Sequence, residues 1–155
     1  VGIFFGAPAI GYFAGNWFTG RNAQRLGVNK LILWGAIAVS SGTALMLVIF
    51  WAGFGSAATF FGLMTIVGLG NGMVIPNATA GMLSARPHLA GTASGLGGAI
   101  MIGGGACLAS LAVFLLKPET GAYPLILIMM FTSMAAVVAI LSVYRREARL
   151  KTNSA

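Results

Sequence analysis

The chain has 155 residues, of which 58% are hydrophobic and 7% are charged, against about a quarter charged in an ordinary soluble domain. Too little polar surface exists to coat a water-soluble globule, so the composition excludes that class and indicates an integral membrane protein. The net charge of +7 does not indicate nucleic acid, because its nine basic residues flank apolar runs rather than forming one basic patch.

Cutting the sequence at charges and at Gly/Pro turns predicts five membrane-spanning helices, at about 1–19, 31–52, 57–83, 92–116 and 123–144, followed by a basic tail over 145–155. No run shows the period-two alternation that a membrane β-barrel needs. In the first helix, Ala7, Gly11 and Gly15 form a small-residue row at i, i+4 spacing, which lets a neighbouring backbone approach. Phe5, Tyr12 and Asn16 lie on another face, suited either to packing or to a cavity wall.

The stretch "GNWFTGRNAQRLGVNK" reads as a basic loop after the first helix, with Arg21 and Arg25 a turn apart, Lys30 beyond them, and Gly27 able to take a positive φ. The segment from Leu31 to Ala85 has no charge and is too long for one crossing, so "AGFGS" at Ala52–Ser56 is expected to divide it.

The third helix carries the most informative residues. Pro76 has no amide hydrogen, so the Gly72 carbonyl loses its partner and a kink is expected there. Asn71 and Asn77 flank that point. Amide side chains at membrane depth are costly unless they face protein or water, so each is suited either to an interhelical hydrogen bond or to substrate contact.

Arg86, Pro87 and His88 interrupt the apolar sequence before the fourth helix, for which Thr92 or Ser94 could serve as the N-cap. That helix carries the row Gly91, Gly95, Ala99, Gly103 and Cys107, for which close packing is the expectation, and Met101 lies off the row as an adaptable apolar contact.

Orientation follows from the basic residues: Arg21, Arg25, Lys30, Arg86, Arg145, Arg146, Arg149 and Lys151 share one side and Lys117 lies on the other, which is expected to place the tail in the cytoplasm. Five crossings then put Val1 outside, an expectation that implies at least one further helix upstream. No acid lies within a span, since Glu119 and Glu147 fall in loops. No nucleophile–base pair, metal-ligand cluster or phosphate loop occurs, so neither an enzyme nor a metal or other cofactor is expected.

"GLGNGMVIPNATAGML", "RPHLAGTASGLGGA" and "GNWFTGRNAQRLGVNK" together resemble the C-terminal half of major facilitator superfamily transporters, in particular the Bcr/CflA drug-resistance branch. The run Pro87 to Ser94, with Gly91 and Thr92, carries most of this resemblance. It implies that the five helices are the last five of twelve, most of the C-terminal six-helix half. It also implies proton-coupled export of small amphipathic compounds by alternating access, with the proton-coupling acid in the N-terminal half.

On this reading the partners are the lipid bilayer, that missing half of the same polypeptide, a small-molecule substrate and protons. Tyr12, Asn16, Asn71, Asn77 and Met101 are the expected cavity contacts, Gly72 and Pro76 the gating bend, and Arg21, Arg25, Gly27 and Lys30 the cytoplasmic loop motif. The acidic residue of the family's first-half motif has no counterpart, because Gln24 stands there. The alternative is a non-transporting membrane scaffold held together by its glycine rows.

Overall fold

The computed structural model describes residues 2–153, with side-chain environments for 6–149. Val1, Ser154 and Ala155 lie outside the described residues, as do the side chains of Phe5 and Lys151. Five α-helices follow one another: α1 (Gly2–Leu26), α2 (Val28–Trp51), α3 (Ala57–Ala85), α4 (Ala90–Leu115) and α5 (Tyr123–Asn153), with a 3-10 turn at Pro87–Leu89 before α4. No strand occurs among the described residues. Four helical segments, α2, α3, the Pro87–Leu115 stretch containing α4, and α5, are long and apolar enough to cross a membrane, which marks a multi-pass membrane protein. The fifth, α1, is not among them, because Pro8, Tyr12, Asn16 and its glycines lower its mean hydropathy.

Two expected boundaries are corrected. The first helix does not stop at Thr19 but continues through Arg21 and Arg25 to Leu26, and Lys30 already lies in α2. The "loop" is therefore the single residue Gly27, because nothing before it breaks a helix, and Arg25 in the last turn suits the negative end of the helix dipole. Gly27 has φ 83° and ψ 146°, backbone that only glycine adopts at ease. Likewise α5 runs on through the basic tail. Neither Thr92 nor Ser94 caps α4: Pro87 opens the 3-10 turn, Leu89 holds the N-cap position without a side-chain bond, and Gly91, Thr92 and Ser94 are helical.

The division at Ala52–Ser56 is as the turn residues demand. Gly53, at φ 83°, donates to the Phe50 carbonyl at 3.1 Å and Phe54 to the Ile49 carbonyl at 3.1 Å, a Schellman end for α2. Ser56 then starts α3 by a reciprocal box: its Oγ accepts from the Thr59 amide at 3.1 Å, and Thr59 Oγ1 accepts from the Ser56 amide at 2.8 Å.

The "GLGNG" run explains the packing. Residues two apart on a helix point to nearly opposite faces, so glycines at 68, 70 and 72 clear both sides of α3. On one side Gly68 and Gly72 interlock with Gly11 and Gly15 of α1, so closely that a methyl group at any of the four would strike a backbone carbonyl of the facing helix. On the other side Gly70 and Gly35 of α2 face each other, and a methyl at Gly70 would lie 2.5 Å from the Gly35 carbonyl oxygen. The α1 row thus does what its spacing indicated.

α2 packs on α3 with one face and on α5 with another, whereas α3 and α5 do not pack directly against each other. The expectation of close packing for the α4 row is not met among the described residues. Gly91, Gly95 and Gly103 have open space around them, Cys107 is exposed, and Ala112 is the one buried residue of that helix.

Candidate functional site

Because α2 stands behind both α3 and α5 while those two stay apart, a groove opens between them. It has two adjoining parts that share Val74 and Ala136 in their linings. The inner part, about 260 Å³, is lined by apolar residues of all three helices together with Asn71, Thr132 and Ser133. The outer part widens to about 990 Å³ toward the end of the molecule that carries most of the basic residues. Its walls are mainly apolar, including Ile32, Ala78, Ile140 and Val143, and its rim carries Asn29, Ser84 and Glu147.

The polar groups of the inner part are held by local bonds that fix where their protons point. Ser133 Oγ donates to the Met130 carbonyl at 2.8 Å. Thr132 Oγ1 lies 2.9 Å from the Ile128 carbonyl and 3.0 Å from that of Met129. Behind Ser133, Thr43 on α2 donates to the carbonyls of Val39 or Ser40, at 2.9 and 3.0 Å. The hydroxyls of Thr43 and Ser133 approach each other at 3.4 Å, and these residues are 0% and 5% exposed. At the rim, Asn29 Nδ2 donates to Glu147 Oε1 at 2.6 Å, tying the start of α2 to α5.

The expected site residues do not converge on one space. Asn71 lines the groove, and among the described residues its amide makes no hydrogen bond. Asn77 does not share that wall. It is 4% exposed in the seam with α1, where its Nδ2 donates to the Met73 carbonyl at 2.6 Å and to Thr19 Oγ1 at 3.4 Å. The bond to Met73 lies one residue from the Gly72 carbonyl that Pro76 leaves without an amide, and α3 continues as helix through this turn. Asn77 therefore takes the interhelical alternative.

Gly72 is buried against Tyr12 and Gly15, a packing point of the same seam. Asn16 Nδ2 donates back to the Tyr12 carbonyl at 3.1 Å, and Tyr12 and Met101 are exposed, on α1 and α4, outside the groove. Arg21 is exposed and stacks its guanidinium over Trp17, 5.4 Å from the ring centroid. Arg25, Lys30 and Pro87 are exposed as well.

Thr43, Ser133, Asn29 and Glu147 were not singled out by the sequence. Serines and threonines in apolar helices carry no local signal of a partner 90 residues away, as Thr43 and Ser133 are. Glu147 could have been suspected, as one of only two acids in the chain.

No family model matches the chain, and no solved structure matches it. It is 33% identical over 139 residues to Multidrug resistance protein D of Escherichia coli (strain K12), an alignment that takes in 89% of this chain. The chain spans 34% of that protein's length, in its C-terminal third.

Proposed function

We propose that the chain is the C-terminal portion of a proton-coupled multidrug efflux transporter of the major facilitator type, exporting small amphipathic compounds by alternating access. The similarity to a multidrug resistance protein is the observation that carries this reading, and the groove supports it. A mainly apolar cleft with a few fixed polar groups is the general form of a small-molecule site. In this reading α1 crosses the membrane with the other four helices, and the basic end, with the tail, faces the cytoplasm of a bacterial inner membrane. The wide part of the groove then opens toward the cytoplasmic leaflet, the side from which an exporter collects its load. The Bcr/CflA branch rests on the three stretches quoted above, and most of all on the Pro87–Ser94 run.

Among the earlier cavity contacts, Asn71 is retained for substrate. Tyr12, Asn16 and Met101 are assigned to the space facing the rest of the transporter, where the two halves meet. Proton coupling belongs to that other half in this reading, since the one carboxylate carried by the five helices, Glu147, sits at the rim of the groove near the basic end of α5 rather than at its middle.

The test is accumulation of a fluorescent amphiphile such as ethidium in efflux-deficient bacteria expressing the intact protein. Lower accumulation than in vector controls, abolished by a protonophore, is expected. Accumulation equal to the control for a panel of amphiphiles overturns the reading.

A further inference from the structure

Counting protons in the inner groove gives a chemical preference. Ser133, Thr132 and Thr43 each own one hydroxyl proton. Each lies 2.8–3.0 Å from carbonyls of its own helix, the usual arrangement of a hydroxyl inside a helix. At those distances the carbonyls hold the protons against the 3.4 Å contact between Thr43 and Ser133. What Ser133 and Thr132 turn toward the cavity is therefore lone pairs. Opposite them Asn71 offers an amide with no partner among the described residues, able both to donate and to accept. Ser133 is 5% exposed and Thr132 beside it is exposed, so a ligand donor replaces the few waters that reach this wall.

We infer that the Asn71–Thr132–Ser133 pocket recognises a polar group that carries an N–H or O–H donor together with an acceptor, a primary or secondary amide or a hydroxyl, on an apolar body lying in the wide groove. The donor meets the Ser133 and Thr132 oxygens, and the acceptor meets the Asn71 amide. The pocket of about 260 Å³ admits such a head group, and the adjoining space of about 990 Å³, bordered by the same Val74 and Ala136, admits a hydrocarbon chain or ring. This names a substrate class for the proposed transporter, and depends on that reading only in calling the ligand a substrate.

The experiment is calorimetric binding of decanamide and N,N-dimethyldecanamide to the intact protein in detergent, each corrected for its partition into empty micelles. The dimethyl compound keeps the carbonyl and loses both donors. Decanamide is expected to bind about fivefold more tightly, the worth of one ordinary hydrogen bond. Ser133→Ala is expected to bring that ratio close to one while the protein still elutes as a folded species, since only the 3.4 Å contact with Thr43 and one bond within its own helix are lost. Asn71→Ala is expected to weaken both amides. Equal affinities in the wild-type protein, as a pocket reserved for water would give, overturn the inference, and so does a ratio that survives Ser133→Ala. Binding is read without a proton gradient, so efflux with no donor preference removes the inference alone, and donor preference without efflux removes the transporter reading alone.

Discussion

Replacing Gly72 with alanine adds one methyl group at the tightest seam of the protein. Its position overlaps the Tyr12 carbonyl oxygen and lies 3.1 Å from the Gly15 Cα, so the obstacles are backbone atoms that no rotamer change can move. Helices α1 and α3 must separate by roughly an ångström along the contact that holds them together. Overpacking of this kind costs about 1–3 kcal/mol, toward the upper end where backbone has to shift. Alanine returns up to about 1 kcal/mol through helix propensity. The expected net loss is about 2 kcal/mol, or about 4–8 °C in melting temperature for a chain of this size.

The control is Gly103→Ala in α4, where a methyl meets open space and only the propensity gain operates. Thermal unfolding of purified protein, followed by the loss of the monodisperse peak on size exclusion, separates the two. Gly15→Ala with Gly72→Ala should cost less than the sum of the singles, because a single separation of the helices accommodates both methyls. If Gly72→Ala and Gly103→Ala melt together, the interlocked glycines are not what sets the α1–α3 distance.

Asn77→Leu should cost about 1–2 kcal/mol, because the Met73 carbonyl beside Pro76 loses its side-chain donor in a buried seam. Thr19→Val should cost distinctly less, since the bond to Thr19 is long at 3.4 Å; equal shifts in melting temperature would assign the role to the interhelical bond instead. Gly27→Ala should cost about 1–3 kcal/mol through backbone strain. Gly27→Asn should be no better, because ψ 146° lies outside the left-handed helical well that asparagine tolerates; wild-type thermal stability in Gly27→Asn would contradict this account of the junction.

The glycines were the most legible part of the sequence. Gly27, Gly53 and the Gly11–Gly15 row announce a backbone requirement locally, and the structure uses each of them as the spacing indicates. In "GLGNG" the alternation of glycines clears two faces for two neighbours, a property visible only once both neighbours are placed. Arg21 and Arg25 were misplaced for a different reason. Basic residues mark where a helix leaves the lipid, and a helix that leaves the lipid need not end. The α4 row shows the converse, for small residues permit a close neighbour without specifying one. Of the site, Asn71 was legible because an amide inside an apolar helix requires an explanation. Thr43, Ser133, Asn29 and Glu147 were not, since their partners are set by how α5 lies on α2.

Those α2–α5 ties have a mechanical consequence. They are spread over the length of the pair: Tyr123 Oη to the Phe50 carbonyl at 2.7 Å at one end, Thr43 to Ser133 at 3.4 Å in the middle, and Asn29 to Glu147 at 2.6 Å at the other. Sliding α5 by one helical turn would break all three at once, so its axial register is pinned. Among the described residues α5 has no direct packing on α3 and only a small contact with α4, so α2 is its main lateral support against a swing. The width of the groove is thus governed by a single angle, in the manner of a door hung on one post, and its floor keeps the same residues at every opening.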